Sequence, residues 1–508
     1  MPAEYLPPKQ IKNPGVYGLI LPASVDENII PDGAVTEVKN FIFDTRGAAA
    51  VRPGLRGIGS TIESGVSVSI YGAFSGLNGT PLVVVRGSGT TTSIYNLATG
   101  ALLLDGGTSN VNTHFVNFGS YVIAINFIAN TYSSMRFWNA GSSRHWHFTG
   151  NPINPQNLWG LTPMIGEVYK NRMYVSEAYL TNSSRLYYSS VITSAGNITW
   201  TTTTDFIDIN PGDGDFITAL KRYNDELLVF KRDNMYRFKT TAVEADAFIR
   251  VGTYSQEGVV EGTRGVYFFD KNRGFYRYDG GYPVKISSAI EEFISKRENG
   301  SANFGLMESP NVLGWSDPDH IYWAYPDTVI FEEGLSKEYE NIVLRYTESS
   351  DIWTILLYSN PAFIGVRYFT TQANDTNGIV FRANGVFFAT PDKLNTATLA
   401  PGNDVGEPIE YMLRTRWEDY GSFSFNKLLE EINVLVLKAL GARLYYQIND
   451  SESWILLGSL KNWSTKFRNL NIRFRRIRFK IAGESRNEPP VFRAIEMTKV
   501  LNIGLTLE

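Results

Sequence analysis

The stretch VYKNRMYVSE, residues 168–177, is an aromatic strand, a polar two-residue turn at Lys170-Asn171 and a second aromatic strand. With RLYYSS, from Arg185, it forms a unit that recurs along the first four fifths of the chain. Copies stand in FVNFGSYVIAI (from Phe115) with MRFW (from Met135), in LKRYNDELLVFK (from Leu220) with MYRF (from Met235), and in GVYFFD (from Gly265) with GFYRYDGG (from Gly274). With Gly119, Asn171 and Asn224 as turn positions, successive copies stand 52 and 53 residues apart. One small antiparallel sheet cannot bury its faces until neighbours stack on it, so a step of this length holding several short strands predicts propeller blades.

Outward from this repeat, VSVSIYGAF, PLVVVRG, TSIYNL and ALLLDGG, from Val66, supply an earlier group of four strands. Further groups begin near His114, Ile165, Phe216 and Val259. VLGWSDPDHIYWAYPD (from Val312) with NIVLRYTESSDIWTILLY (from Asn341) adds another, and FIGVRYFTTQ with GIVFRANGVFFATP a last one. The expected architecture is therefore an all-β, β-propeller of about seven blades over residues 35–403, with Tyr278 and Trp353 as blade-core residues. Residues 1–34 hold six prolines and little alternation, and read as an extended N-terminal arm that lies on another surface, such as that of a neighbouring subunit. Near Pro401-Gly402 the texture changes to longer alternating runs without the blade step, which predicts a separate β-sandwich domain over residues 404–508. SSAIEEFISKR, from Ser287, is the best helix candidate.

Composition sets bounds on function. The 508 residues contain no Cys, which removes disulfides and thiolate metal sites together and suits synthesis in a reducing cytoplasm. No apolar run approaches the roughly 20 residues of a spanning helix, and the opening residues lack a signal-peptide pattern, so no membrane insertion is expected. A net charge of −4 argues against nucleic acid as a partner of the whole surface and leaves only a local patch.

Candidate chemistry is sparse. His145 and His147 share one strand face and could ligate one metal, but the chain has only two other His, and half-exposed strand residues beside Trp146 are the plainer reading. DFIDINPGDGDF offers Asp205, Asp208, Asp213 and Asp215 around glycines, as a calcium loop would; the spacing is not that of an EF-hand, and Asp-Gly pairs are ordinary turn chemistry. Ser350, Asp351 and Trp353 faintly resemble the Asp-box of sialidase-type propellers, without its glycine or a second copy. In KFRNLNIRFRRIRFK, residues 466–480, Arg473 and Arg475 fall on one strand face and Arg476, Arg478 and Lys480 on the other, so a phase slip separates Arg475 from Arg476. That run reads either as a nucleic-acid or acidic-partner contact or as a solvated face paired with acids such as Glu430 and Glu431. No residue is assigned as catalytic, cofactor-binding or metal-ligating, and no cofactor is expected.

Several stretches together resemble a known family. NFIFDTRGAAAVRPGLRGIGS, from Asn40, is similar to an early segment of many phage tail proteins in which an Asn-containing strand leads to a Gly turn and an Arg-Pro-Gly. SQEGVVEGTRGVYFFDKNRGFYRYDGGYPVKISSAIEEFI, from Ser255, resembles their most recognisable stretch, and DHIYWAYPD with NIVLRYTESSDIWT the blade that follows. FNKLLEEINVLV and FRNLNIRFRRIRFKIAG look like their C-terminal sandwich. The match is to the tail hub or nozzle proteins of short-tailed bacteriophages, related to packaged-DNA stabilisation proteins. The resemblance implies a non-enzymatic virion structural protein of the tail, made in the host cytoplasm. It further implies a homo-hexamer ring below the portal and adaptor (the head–tail connector), which continues and gates the DNA channel, passes DNA through its lumen without sequence specificity, and anchors tail fibres or spikes. The alternative from another class is a carbohydrate-active propeller, glycan-binding or sialidase-like; a third is a host scaffold propeller that binds peptides.

Overall fold

The computed structural model describes residues 4–504 apart from 13–16, 21–28, 45–46, 53, 55–68, 76–80, 87–91, 97–98, 100, 108–112, 120, 126–134, 140–145, 148–162, 178–181, 193–197, 202, 240–245, 249, 271–272, 294–311, 326–328, 334, 340–341, 358–365, 372–375, 383–385, 390–402, 405–406, 450 and 487. The chain is all-β, with no α-helix among the described residues. Seven small antiparallel sheets follow one another: four strands each over 69–107, 114–147, 165–208, 217–248, 260–285 and 313–357, and three over 366–389. Strand order follows the sequence in each, and the sixth carries an extra hairpin, Val329–Glu333 with Leu335–Tyr339.

Local chemistry explains the hairpins. Tyr169 pairs with Arg172 around Lys170-Asn171, whose φ values of 46° and 58° are those of a tight turn matched to strand twist. Gly119 (φ 59°) and Asn224 (φ 51°) occupy the same place in the second and fourth sheets. The turn positions picked out by the repeat are thus the left-handed ones.

The second strands of these hairpins are buried along their whole length in Tyr121–Ile125 and Glu226–Lys231, and from Met173 onward in Arg172–Ser176, because each sheet is covered on both faces. Separate apolar layers fill the gaps. One joins Val116, Ile123 and Met135 to Met173 and Trp200; a second joins Tyr169 and Leu186 to Leu220 and Phe238; a third joins Leu228 and Phe230 to Phe268 and Tyr278. First strands of neighbouring sheets also lie side by side, and Val366–Thr371 of the seventh sheet runs against Ser69–Ser75 of the first.

Two larger sheets form a terminal body. One contains Phe41–Phe43, Ala49–Val51, Val491–Gly504, Asn426–Leu437 and Trp463–Phe467, in that order. The other runs Val35–Lys39, Glu407–Thr415, Ile477–Ser485, Arg443–Ile448, Ile455–Ser459. Leu413, Leu444, Phe479 and Ile481 of the second share one buried cluster with Leu429, Val434, Phe474 and Met497 of the first. The cluster continues into Phe275, Trp323 and Trp353 of the fifth and sixth small sheets, so one apolar core ties the terminal body to the array.

Three expectations change. Residues 35–51, read above as the start of the propeller region, pair with strands beyond residue 404 (Lys39 opposite Met412, Ala50 opposite Val491), so the small sheets are an insertion between strands of the terminal body. Within the arm, Glu4–Leu6 and Lys9–Lys12 hydrogen-bond to this chain's own last strand, with Glu4 opposite Asn502 and Lys9 opposite Met497. Leu19 and Ile30 are buried as well. The 14-residue strand Val491–Gly504 presents a long edge whose backbone groups need partners, and the proline count of the arm gives no sign of a partner so distant in sequence. Third, the helix candidate is a 3-10 segment, Ser288–Phe293, interrupted at Ile290, which is buried with φ −124°.

Candidate functional site

The acidic loop is engaged by protein cations. Asp208 receives both Nε (2.7 Å) and Nη2 (3.0 Å) of Arg185, whose guanidinium stacks 3.6 Å from the Phe206 ring. Asp213 holds Lys231 at 2.7 Å, and Asp215 holds Arg232 at 2.7 Å. Asp205 accepts from the Thr201 backbone N–H and the Thr204 hydroxyl. Each carboxylate therefore caps a turn or meets its own cation instead of converging with the others. Among the described residues no three His, Asp or Glu side chains gather as a metal set. His145 lies outside the described residues, and His147 ends the strand Trp146–His147, whose side chains are not described. Asp351 stands at a left-handed turn (φ 56°) and accepts from the Tyr346 hydroxyl, while Trp353 and Tyr278 are fully buried core residues.

A joint sits where the array meets the terminal body. Asn40, buried with φ 60°, donates its side-chain N–H to Glu410 O (2.8 Å) and accepts from Leu357 N–H (2.6 Å) and Arg52 Nε (3.0 Å). Arg52, equally buried, donates Nη2 to Leu357 O at 2.8 Å. Thr354 donates its hydroxyl to Phe41 O, and within the array Trp353 Nε1 donates to Ile286 O at 2.8 Å, tying the sixth small sheet to the segment that follows the fifth. Asn40, Phe41, Arg52, Ile286, Trp353 and Thr354 fall in stretches quoted above for the resemblance, whereas Leu357 and Glu410 do not. Their work is to lock strands of three sheets, since a buried guanidinium or amide is tolerated only when hydrogen-bonded.

A second convergence joins four small sheets. His114 Nδ1 lies 2.6 Å from Glu257 Oε1 and its Nε2 3.0 Å from Gly166 O. Both partners are acceptors, so only the doubly protonated ring donates to each. Gln256 donates Nε2 to Leu220 O and accepts from Leu220 N–H, and Glu257 O accepts from Gly314 N–H. Burial opposes the charge on His114, but the Glu257 carboxylate, aided by Glu167 and the Gly166 carbonyl, outweighs it and raises the pKa above the ordinary 6.5. A raised folded-state pKa adds stability that is fully present below the unfolded value and lost as pH rises through the folded one. Thermal melts should therefore show the midpoint falling as pH increases above about 6.5, with His114→Gln flattening that part of the profile; an unchanged slope in the variant would remove His114 as its source.

The basic run does not lie on one strand. Ile472–Phe474 pairs with Asn426–Leu437 in the larger sheet, whereas Ile477–Ser485 lies in the six-stranded one, so the phase slip at Arg475-Arg476 is a crossing between sheets. Glu431 pairs with Lys466 (2.7 Å) and Arg468 (3.5 Å); hydrogen bonds from Lys466 and the Thr498 hydroxyl hold its carboxyl below the usual range, and Glu430 accepts from the Tyr5 hydroxyl.

After the crossing, cations and aromatic rings alternate. Arg476 stands 5.6 Å from the Phe423 ring centroid and 4.5 Å from Trp417; Arg478 stands 4.4 Å from Trp417 and 5.5 Å from Trp454; Lys480 stands 4.6 Å from Trp454 and 4.9 Å from Tyr445. Seven side chains from several chain segments form one ladder. Arg478 also donates Nε to Gln447 Oε1 at 2.7 Å. Sequence reading found its cations by their spacing but missed its rings. Tyr445 stands opposite Lys480 only through long-range pairing, and Trp417 and Trp454 lie outside the strands.

No known protein family matches the sequence, and no curated protein matches it. Among solved structures, the chain is similar to BamB from Moraxella catarrhalis at 10% identity and a TM-score of 0.36, over 76% of this chain and 97% of that one. It is also similar to the computationally designed Ika8 protein at 12% identity and a TM-score of 0.34, over 67% of this chain and 99% of that one. Both likenesses are loose.

Proposed function

We propose that this chain is a non-enzymatic structural protein of a phage tail, a hub or nozzle subunit that assembles as a six-membered ring below the adaptor, continues the DNA channel and carries fibres or spikes. In this reading the seven small sheets are the blades of a propeller, closed where Val366–Thr371 meets Ser69–Ser75, and the two larger sheets are a β-sandwich. The observation that carries the reading is the joint: Asn40 and Arg52, from a tail-protein-like stretch, bond to Leu357 of the sixth small sheet and Asn40 also to Glu410 of the terminal body, fastening one to the other. A component that transmits load needs such fastening, because domains held by small polar interfaces move against each other by default. A ring closes when one patch meets a different patch on the next copy.

Light scattering after size exclusion, followed by negative-stain imaging, tests this. The expected result is a six-fold ring, alone or only with adaptor and portal present. A monomer or trimer that cleaves capsular glycan would replace the reading with the carbohydrate-active one, and a monomer that captures peptides with the scaffold one.

A further inference from the structure

We infer that a cleft on the outer face of the terminal body is a binding site for an acidic oligosaccharide, a glycan whose rings carry carboxylates. It measures about 850 Å³, within the range of ligand pockets. Arg443 and Tyr445 stand two apart on Arg443–Ile448 and so share one face; Ala482, directly opposite Arg443, brings Glu484 to the same side. The inner face of these strands, with Leu444 and Ile481, belongs to the core. Two loops wall the cleft. Asn462 Oδ1 accepts from Ala439 N–H at 2.7 Å, and Leu460 N–H donates to Ala442 O at 2.9 Å. The turn that carries Lys438 and Leu440 is thereby stapled to the loop before Trp463.

The lining selects the ligand class. Lys438 is matched by Glu488 at 3.4 Å and Arg486 by Glu484 at 3.6 Å, whereas Arg443 makes no ion pair among the described residues. An apolar ligand would bury these charges, and a polyphosphate would meet two carboxylates. Hydroxyl groups suit them, because a hydroxyl donates to a carboxylate and accepts from an ammonium or guanidinium. The Asn462 amide, its oxygen engaged, offers its N–H groups to the same ligand. Arg443 is then the partner of a carboxylate, through paired hydrogen bonds. Sugar rings also carry apolar faces. Leu440 lines the cleft at 84% exposure, and Trp463, next to Asn462, is 76% exposed. Trp463 stands opposite Val436, which is buried, and regular pleating would turn both side chains to the core. The left-handed φ of 74° at Trp463 turns the ring out instead, and strain that displays a ring rather than burying it is the mark of a binding position. The site lies outside the array of small sheets and on one chain, so it does not depend on how that array is read or on the ring forming.

Calorimetric titration of the full-length protein with a tetrasaccharide of galacturonic acid tests this. Binding should saturate at one site per chain, and the methyl ester, which keeps the ring hydroxyls and loses the charges, should bind about tenfold more weakly. Arg443→Gln should bring the acid down to the level of the ester. Trp463→Ala should weaken both forms alike, by about tenfold or more. Both positions are exposed, so the thermal midpoints should stay with the parent's, and Arg443→Lys, which keeps the charge without the fork, should restore part of the preference for the acid. The inference is overturned if neither form binds, if an oligoglutamate of equal charge binds as tightly as the acid, if Arg443→Gln keeps the preference for the acid, or if Trp463→Ala binds as the parent does.

Discussion

Trp353→Ala should lower stability by about 3 to 5 kcal/mol, the range for deleting a fully buried aromatic side chain. That is a large part of the margin by which an ordinary domain stays folded. The Trp353 ring lies 5.0 Å from Phe275, 5.8 Å from Trp323 and 5.0 Å from Tyr346, so its loss opens a cavity among rings of the fifth and sixth sheets. It also removes the donor to Ile286 O and leaves that carbonyl without this bond. The backbone of Trp353 accepts from Leu19 N–H, and Gly18 is packed against Ile352, so the damage reaches the N-terminal arm. Urea unfolding should show the midpoint falling at constant m-value, and Trp353→Phe should lose less. A change below about 1 kcal/mol would mean that this core does not carry the joint.

Lys231→Met is the second large effect. The ammonium is fully buried and bonded to both Asp213 oxygens (2.8 and 2.7 Å), to Ser184 Oγ at 3.0 Å and to Asn210 O at 3.2 Å. It therefore pins the loop between the third and fourth sheets to a strand of the fourth. Removing one partner of a buried pair strands the other charge, at about 3 to 5 kcal/mol. Asp213 is 16% exposed and can recruit water, which places the expected loss near the lower end. Lys231→Met/Asp213→Leu should recover much of it, because replacing both members removes the stranded charge. A double variant no better than the single one would show that the loop, and not the charge, is what the pair holds.

The two variants also mark where the sequence was legible. The hairpins at Gly119, Asn171 and Asn224 could be read because a left-handed turn selects Gly or Asn whatever the rest of the chain does. Trp353 and Tyr278 could be assigned to the core because large rings in short strands have nowhere else to go. The acidic loop was ambiguous. Four aspartates around two glycines are equally consistent with an ion or with Arg185, Lys231 and Arg232, and only packing brings those cations to them. The ladder was half visible, its cations in one run and its rings scattered from residue 417 to residue 454.

By itself the sequence determined the all-β character, the small repeated sheets and their turns, since each depends on residues a few positions apart. Only the tertiary structure decided that Val35–Lys39 and Glu4–Leu6 belong with strands more than 370 residues further on, and that Arg476 and Arg478 flank Trp417. Strand pairing is made by backbone groups that every residue carries, so which distant segment fills an open edge is set by the shape of the folded chain and leaves little trace in side-chain pattern.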